Sequence, residues 1–199
     1  IANPGCYATA AVLAIAPLCR GDLAAGVIVI DALSGVSGAG RAPKPETHFA
    51  HVYDDIRAYK VGRHQHTPEI EMALELDCGK PVRVSFTPHL VPAVRGIHIT
   101  CSAELRHPIG EEKLLELYRD FYKEAPFVKV SRGQHGTKET RGSNYVFITP
   151  SWDQRCGRAI VTCVLDNLVK GAAGQALQNA NLCFGFAQEC GLQVHALYP

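Results

Sequence analysis

The sequence predicts an α+β fold, a sheet with helices covering one face, on three observations. Short β-branched runs such as GVIVID (26–31) have the length of buried strands. Longer stretches such as EEKLLELYRDFY (111–122) place Leu114, Leu117, Tyr118 and Phe121 on one helical face. The order in which the two kinds of element alternate suits helices layered on a sheet.

The elements follow from local signals. An alanine-rich apolar segment predicts a helix from about Cys6 to Cys19. The strand 26–31 runs into SGVSGAGR (34–41), glycine punctuation that reads as a tight polar loop. Residues 42–56 look irregular, and Arg57–Gly62 fits a second strand. Thr67-Pro68-Glu69 marks a helix start, with a Thr cap, Pro in the first turn and an acid near the positive end. That helix runs to about Leu76 and stops by Gly79. Strands are expected at Pro81–Thr87, Ile97–Leu105, Val128–Val130, Tyr145–Thr149 and Arg158–Leu165. A last Gly/Ala/Gln/Asn helix spans about Lys170 to Asn181, with small residues that let another backbone approach.

Composition narrows the function classes. With 199 residues, 47% hydrophobic and 20% charged, the chain can bury a core and is not a disordered tail. A formal net charge of +1 without a Lys/Arg block argues against a nucleic-acid or membrane-surface binder. The apolar run near Ala8–Leu18 is too short to span a bilayer. The eight cysteines form no CxxC pair, so free thiols in a reducing compartment are expected.

One thiol has a distinctive setting. In NPGCYATA, Pro4 and Gly5 fix a turn and deliver Cys6 to the start of the first helix. Helix N-termini carry partial positive charge and unpaired N–H groups, which favour a thiolate and can hold the oxygen of a carbonyl under attack. A buried helix-start residue explains Cys6 equally well when it is taken alone. In RHQHTPEIE (63–71), His64 and His66 precede a helix that carries Glu69 in its first turn. A histidine beside a nucleophilic cysteine serves as acid and base. The HxH spacing also suits a metal, but no further ligand follows at a convincing spacing, so no metal is expected. Exposed loop histidines are the bland alternative. The SGVSGAGR loop offers amides and hydroxyls to anions but lacks the P-loop lysine and the GxGxxG spacing. Arg41 and Arg95 are candidates for gripping a phosphate or carboxylate.

Five segments in order, NPGCYATA, SGVSGAGR, HQHTPEIE, FTPHLVPAVRGI (86–97) and DNLVKGAAGQALQNAN (166–181), resemble N-acetyl-γ-glutamyl-phosphate reductases. These belong to the aspartate-semialdehyde dehydrogenase-like group. One departure is Ala8, where the family usually has Pro after the Cys-Tyr pair. The resemblance implies a glyceraldehyde-3-phosphate-dehydrogenase-like C-terminal catalytic domain with a mixed sheet. Residues 1–165 would form the catalytic and dimerisation domain, and 166–199 a C-terminal helical segment packing on a nucleotide-binding domain absent from this chain.

The resemblance further implies NADPH-dependent conversion of N-acetyl-γ-glutamyl phosphate to N-acetylglutamate semialdehyde and phosphate, in arginine biosynthesis, through a Cys6 thioester. A histidine of the pair would be the acid/base, with His64 favoured and His66 close behind. Glu69 would orient that histidine or bind the substrate amide. Ser34 and Gly35 would lie beside the dinucleotide phosphates, and Asn167, Lys170 and Gly171 near the nicotinamide half of NADP(H). Arg95, then Arg41, would bind substrate, with Tyr59 lining the pocket. A homodimer or homotetramer in the cytoplasm, or in an organelle of a eukaryote, is expected. The rival readings are a sibling reductase of lysine biosynthesis acting on a carrier-bound aminoadipyl phosphate, a cysteine hydrolase or acyltransferase, and a non-catalytic dimerisation module.

Overall fold

The computed structural model describes residues 2–198. Seven strands form one mixed sheet, and the two longest lie side by side within it. From one edge they run β2 (Arg57–Ala58), β3 (Arg83–Leu90), β1 (Ala24–Ser34), β4 (Ile97–Leu105), β7 (Arg158–Leu165), β6 (Val146–Asp153) and β5 (Val128–Val130). β1 pairs with β3 and β5 with β6 in parallel; the other neighbours are antiparallel. Helices α1 (Cys6–Arg20), α3 (His66–Cys78) and α4 (Glu111–Phe121) cover one face of it.

Alternation along the strands decides which face is covered. Ile28, Ile30 and Ala32 of β1 and Ile97, Ile99, Cys101 and Ala103 of β4 point into the core, where side chains two apart share a face. The core is completed by Ile15 and Leu18 of α1, Ile70 and Leu74 of α3, and Leu114 and Tyr118 of α4. Ala8, Ala10, Ala11 and Ala14 are essentially inaccessible, so α1 is enclosed on several sides and its small side chains let the neighbours close in. The opposite face leaves Val27, Val29 and Leu33 exposed.

Pro17 inside α1 has no N–H to give to the carbonyl of Leu13. The hydroxyl of Tyr122 replaces that donor at 2.5 Å, and Tyr118 donates to the adjacent carbonyl of Ala14 at 2.6 Å. The helix therefore continues through the proline to Arg20 with its freed carbonyl satisfied.

Several boundaries differ from the sequence expectation. β1 begins at Ala24, ahead of a bulge in which Gly26 takes φ of 59°, a conformation that costs glycine little. The expected strand Arg57–Gly62 stops at Ala58, because Lys60 and Gly62 turn the chain with positive φ. The segment read as irregular contains a short helix, α2 (Phe49–Val52). α3 starts at His66 with Gln65 before it, so Thr67 lies inside the first turn and caps nothing; the helix closes at Gly79 with φ of 71°. The last helix is in two parts, a π-helical turn over Val169–Ala173 and α5 over Gly174–Cys183. No helix of the described residues is long and apolar enough to cross a membrane.

A candidate active site at the start of the first helix

The first turns of α1 and α3 meet at the ends of β1 and β3, around a cavity of about 520 Å³. Cys6, Tyr7, Ser34, Tyr59, His64 and His66 line it. Among the described residues the thiol is free, and all eight cysteines are reduced. Gly5, extended at φ −69° and ψ 157°, turns the chain into α1 and leaves the N–H groups of Cys6 and Tyr7 at the sulfur. Burial pushes the thiol above its usual value of 9.0, those two N–H groups pull it back, and the Glu69 carboxylate adds to the rise. The helix terminus acts in the expected direction, but burial outweighs it. The net effect is a Cys6 thiol held above its ordinary range, opposite in direction to what the helix terminus alone would give.

The two histidines are not equivalent. His64 is 4% exposed and sits among Tyr7, Tyr59 and Phe86, with ring centroids 5.3–5.9 Å away. Its Nδ1 accepts the backbone N–H of His66 at 3.2 Å, so that atom is occupied. Burial, with His66 and Lys60 nearby, lowers its pKa to about 4. His66 presses on the residue before the thiol: a Cβ at Gly5 would lie 2.2 Å from His66 Nε2. Burial also lowers the His66 pKa, but Glu69 opposes that shift with Oε2 3.8 Å from Nε2. Tyr59 donates to the Tyr7 hydroxyl at 3.4 Å, and Tyr7 donates to the carbonyl of His89 at 3.1 Å.

The glycine loop forms the next wall. Ser34 is buried at the end of β1, and Gly35 lies so close to the Arg95 backbone that a Cβ there would sit 2.7 Å from its nitrogen. Asn167 fixes this loop from behind, accepting Gly96 N–H at 2.7 Å and donating to Ser37 Oγ at 3.0 Å. Gly171 backs directly onto Cys6. Lys170 is 7% exposed and donates to Gln178 Oε1 at 2.6 Å; burial lowers its pKa to about 8. It lines a second cavity of about 290 Å³, together with Glu69, Asn3, Thr9 and Gln175.

The two arginines singled out from the sequence lie outside the lining of the main cavity. Arg95 is drawn toward the fully buried Asp166 carboxylate, Nε to Oδ2 3.4 Å, and does not line the main cavity. Arg41 is exposed and is also outside that lining. The cations that do line it are Lys44, Arg57 and Lys60, none singled out from the sequence. They lie in the stretch read as irregular and at the edge of a weak strand, where periodicity gives no sign of which way a side chain faces. Tyr7 was also missed; its place next to the cysteine was the available signal.

Cys6 at the start of α1 and the histidine pair at the start of α3 thus share one cavity beside the ends of β1 and β3, an arrangement of thiol and imidazole suited to nucleophilic chemistry. The chain matches the family described as semialdehyde dehydrogenase, dimerisation domain, over residues 6–167, and it belongs to that family. It is 49% identical over 202 residues to an N-acetyl-gamma-glutamyl-phosphate reductase of Bacillus mycoides (strain KBAB4), covering all of this chain and 59% of the relative. It is 46% identical over 200 residues to the protein of the same name in Dehalococcoides mccartyi (strain CBDB1 and others), again covering 59% of the relative. The chain thus spans 59% of the length of these curated relatives. Its fold is that of aspartate semialdehyde dehydrogenase II from Vibrio cholerae, with TM-score 0.72 and 20% identity over 93% of this chain and 62% of that one. A probable aspartate-semialdehyde dehydrogenase from Pseudomonas aeruginosa aligns with TM-score 0.70 and 16% identity, over 92% and 61% of the two chains.

Proposed function

We propose that this chain is the catalytic part of an NADPH-dependent reductase that converts N-acetyl-γ-glutamyl phosphate to N-acetylglutamate semialdehyde and phosphate. The observation that carries this reading is the placement of Cys6, at the start of α1, in one cavity with His66, Tyr59 and three cationic side chains. The 46–49% identity along this chain to reductases of that name supports the choice of substrate.

The chemistry follows from the residues. His66 takes the thiol proton as the sulfur attacks the acyl-phosphate carbonyl, and the C–S bond replaces the bond to phosphate. The Cys6 and Tyr7 N–H groups stabilise the sulfur as charge gathers on it. Lys44, Arg57 and Lys60 neutralise the substrate's anionic groups. Reduction leaves a thiohemiacetal on Cys6, which collapses to the aldehyde as His66 supplies and removes protons. His66 is preferred to His64 because it abuts the thiol's own turn and has the Glu69 carboxylate opposing the fall in its pKa. His64 is enclosed by aromatic rings and stays neutral at physiological pH.

A nicotinamide dinucleotide, when bound, supplies the hydride. The residues present fit such a group: among the described residues the buried Lys170 ammonium has an amide oxygen, and no carboxylate, within hydrogen-bond reach, so it can receive an anion. Ser34, Gly35, Lys170 and Gly171 would line its path, with Asn167 holding the loop in shape. The apolar side chains left exposed around α5, Leu177, Leu182, Phe184 and Phe186, fit contact with a nucleotide-binding domain. The open sheet face, with Val27, Val29 and Leu33, suits the second copy that a dimerisation domain requires.

The test uses the complete protein with its nucleotide-binding part. N-acetylglutamate semialdehyde, phosphate and NADP⁺ are combined and NADPH absorbance is followed. Phosphate-dependent NADPH formation supports the assignment. Activity with carrier-bound aminoadipate semialdehyde and none with the acetylglutamate aldehyde would overturn the substrate.

A further inference from the structure

Two helix starts carry the chemistry, and one side chain joins them. Glu69 Oε1 accepts the backbone N–H of Gly5 at 2.8 Å, whereas its other oxygen is 3.8 Å from His66 Nε2. The first distance is that of a hydrogen bond with a charged acceptor, and the second is too long for one. The carbonyl of Gly5 is held as well, by the N–H of Thr9 at 2.8 Å and its hydroxyl at 3.0 Å. Its Cα is packed against the His66 ring, with no room for a methyl group. The residue before Cys6 is therefore fixed on three sides.

α1 has no side-chain cap and no acid in its own first turn. In a capping box, an acid in the third helical position reaches back to the N–H of the cap residue. That position is Ala8 in α1, which has nothing to offer. Glu69 makes the same contact from a different helix. It also lines the second cavity rather than the one the thiol shares with His66, so it stands behind the nucleophile and away from the substrate side.

We infer that Glu69 is a positioning residue for Cys6, a cap supplied in trans by α3 to α1 that sets the thiol against His66, and not a proton carrier or a substrate ligand. The catalytic consequence rests on the proposed role of Cys6, but the contact does not. As a charge beside the thiol, Glu69 also raises its pKa.

The test compares Glu69→Gln with Glu69→Ala in this chain, by hydrogen exchange at the Gly5 amide and by peptide-resolved iodoacetamide labelling of Cys6 against pH. Gln keeps an oxygen for Gly5 and loses the charge. It should retain Gly5 protection and move the labelling midpoint to lower pH. Ala loses the acceptor, and Gly5 exchange should quicken about tenfold to a hundredfold, the range for losing a charged acceptor. If the alanine variant does not fold, Glu69→Asp, one methylene short, should show a smaller acceleration of the same amide. Equal Gly5 exchange in native, Gln and Ala proteins overturns the inference, as does a Gln variant that loses protection like Ala. Because neither readout needs turnover, failure here is distinct from failure of the reductase assignment.

Discussion

Gly171 and Cys6 are packed so closely that a methyl group at 171 would lie 2.7 Å from Cys6 Cβ and 3.3 Å from the carbonyl of Asp166. The π-helical turn that holds Gly171 thus packs directly against Cys6. Gly171→Ala should push the thiol out of register with His66. The expected cost to stability is about 1–3 kcal/mol for overpacking, with a larger proportional loss in kcat. Thermal unfolding and turnover measured together check this; a fully active variant would mean that the Cys6 geometry is not tightly set.

Tyr122 stands in for the missing proline donor on Leu13. Tyr122→Phe removes only the hydroxyl and leaves a part-buried carbonyl unpaired. Urea unfolding should show a loss of about 1–3 kcal/mol. Replacing Pro17 with Ala in the same background restores a backbone donor and should recover part of that loss.

The neutral His64 ring contributes to pH-dependent stability. In an unfolded chain it takes a proton near 6.5, and in its buried setting only at about 4. The contribution is therefore complete above pH 6.5 and is lost as pH falls from there towards 4. Unfolding free energies at pH 7 and pH 5 should differ less for His64→Gln than for the native chain. An unchanged difference would show that other groups govern this window.

Arg95 and Arg57 should separate stability from binding. Arg95 faces the fully buried Asp166, whose Oδ2 also accepts Gly142 N–H at 2.7 Å. Arg95→Ala removes that ion-pair partner and should cost stability, about 3 kcal/mol or less given the arginine's partial exposure. Arg57 lines the cavity and is exposed, so Arg57→Ala should raise KM with little change in melting temperature. The reverse pattern would return Arg95 to the substrate.

How far the sequence could be read depended on where the information lay. Strands with a clean hydrophobic period, β4 and β7, were legible almost to the residue, because alternation and length are local properties. The Cys6 turn and the HQH segment stood out for the same reason, and the structure brings them to one cavity. Arg57–Gly62 was not, since a two-residue pairing is decided by which backbone groups reach β3. Gly26 extends β1 through a bulge that needs the partner strand to form. The order of His64 and His66 depends on which ring is enclosed by Tyr7, Tyr59 and Phe86, residues far apart in the chain. The pairing of Arg95 with Asp166 was not legible, because nothing near it in sequence announces that partner. Burial of the thiol, which reverses the simple helix-terminus expectation, is a tertiary effect of the same kind.

The most direct measurement is of the first covalent step, which needs no dinucleotide. The chain is mixed with N-acetyl-γ-glutamyl phosphate, quenched in acid, and examined by intact mass and peptide mapping. One N-acetylglutamyl group on Cys6, with release of phosphate and no such adduct in Cys6→Ser, is the result expected of a thioester-forming reductase. An unmodified Cys6, or an adduct that survives in Cys6→Ser, would contradict it.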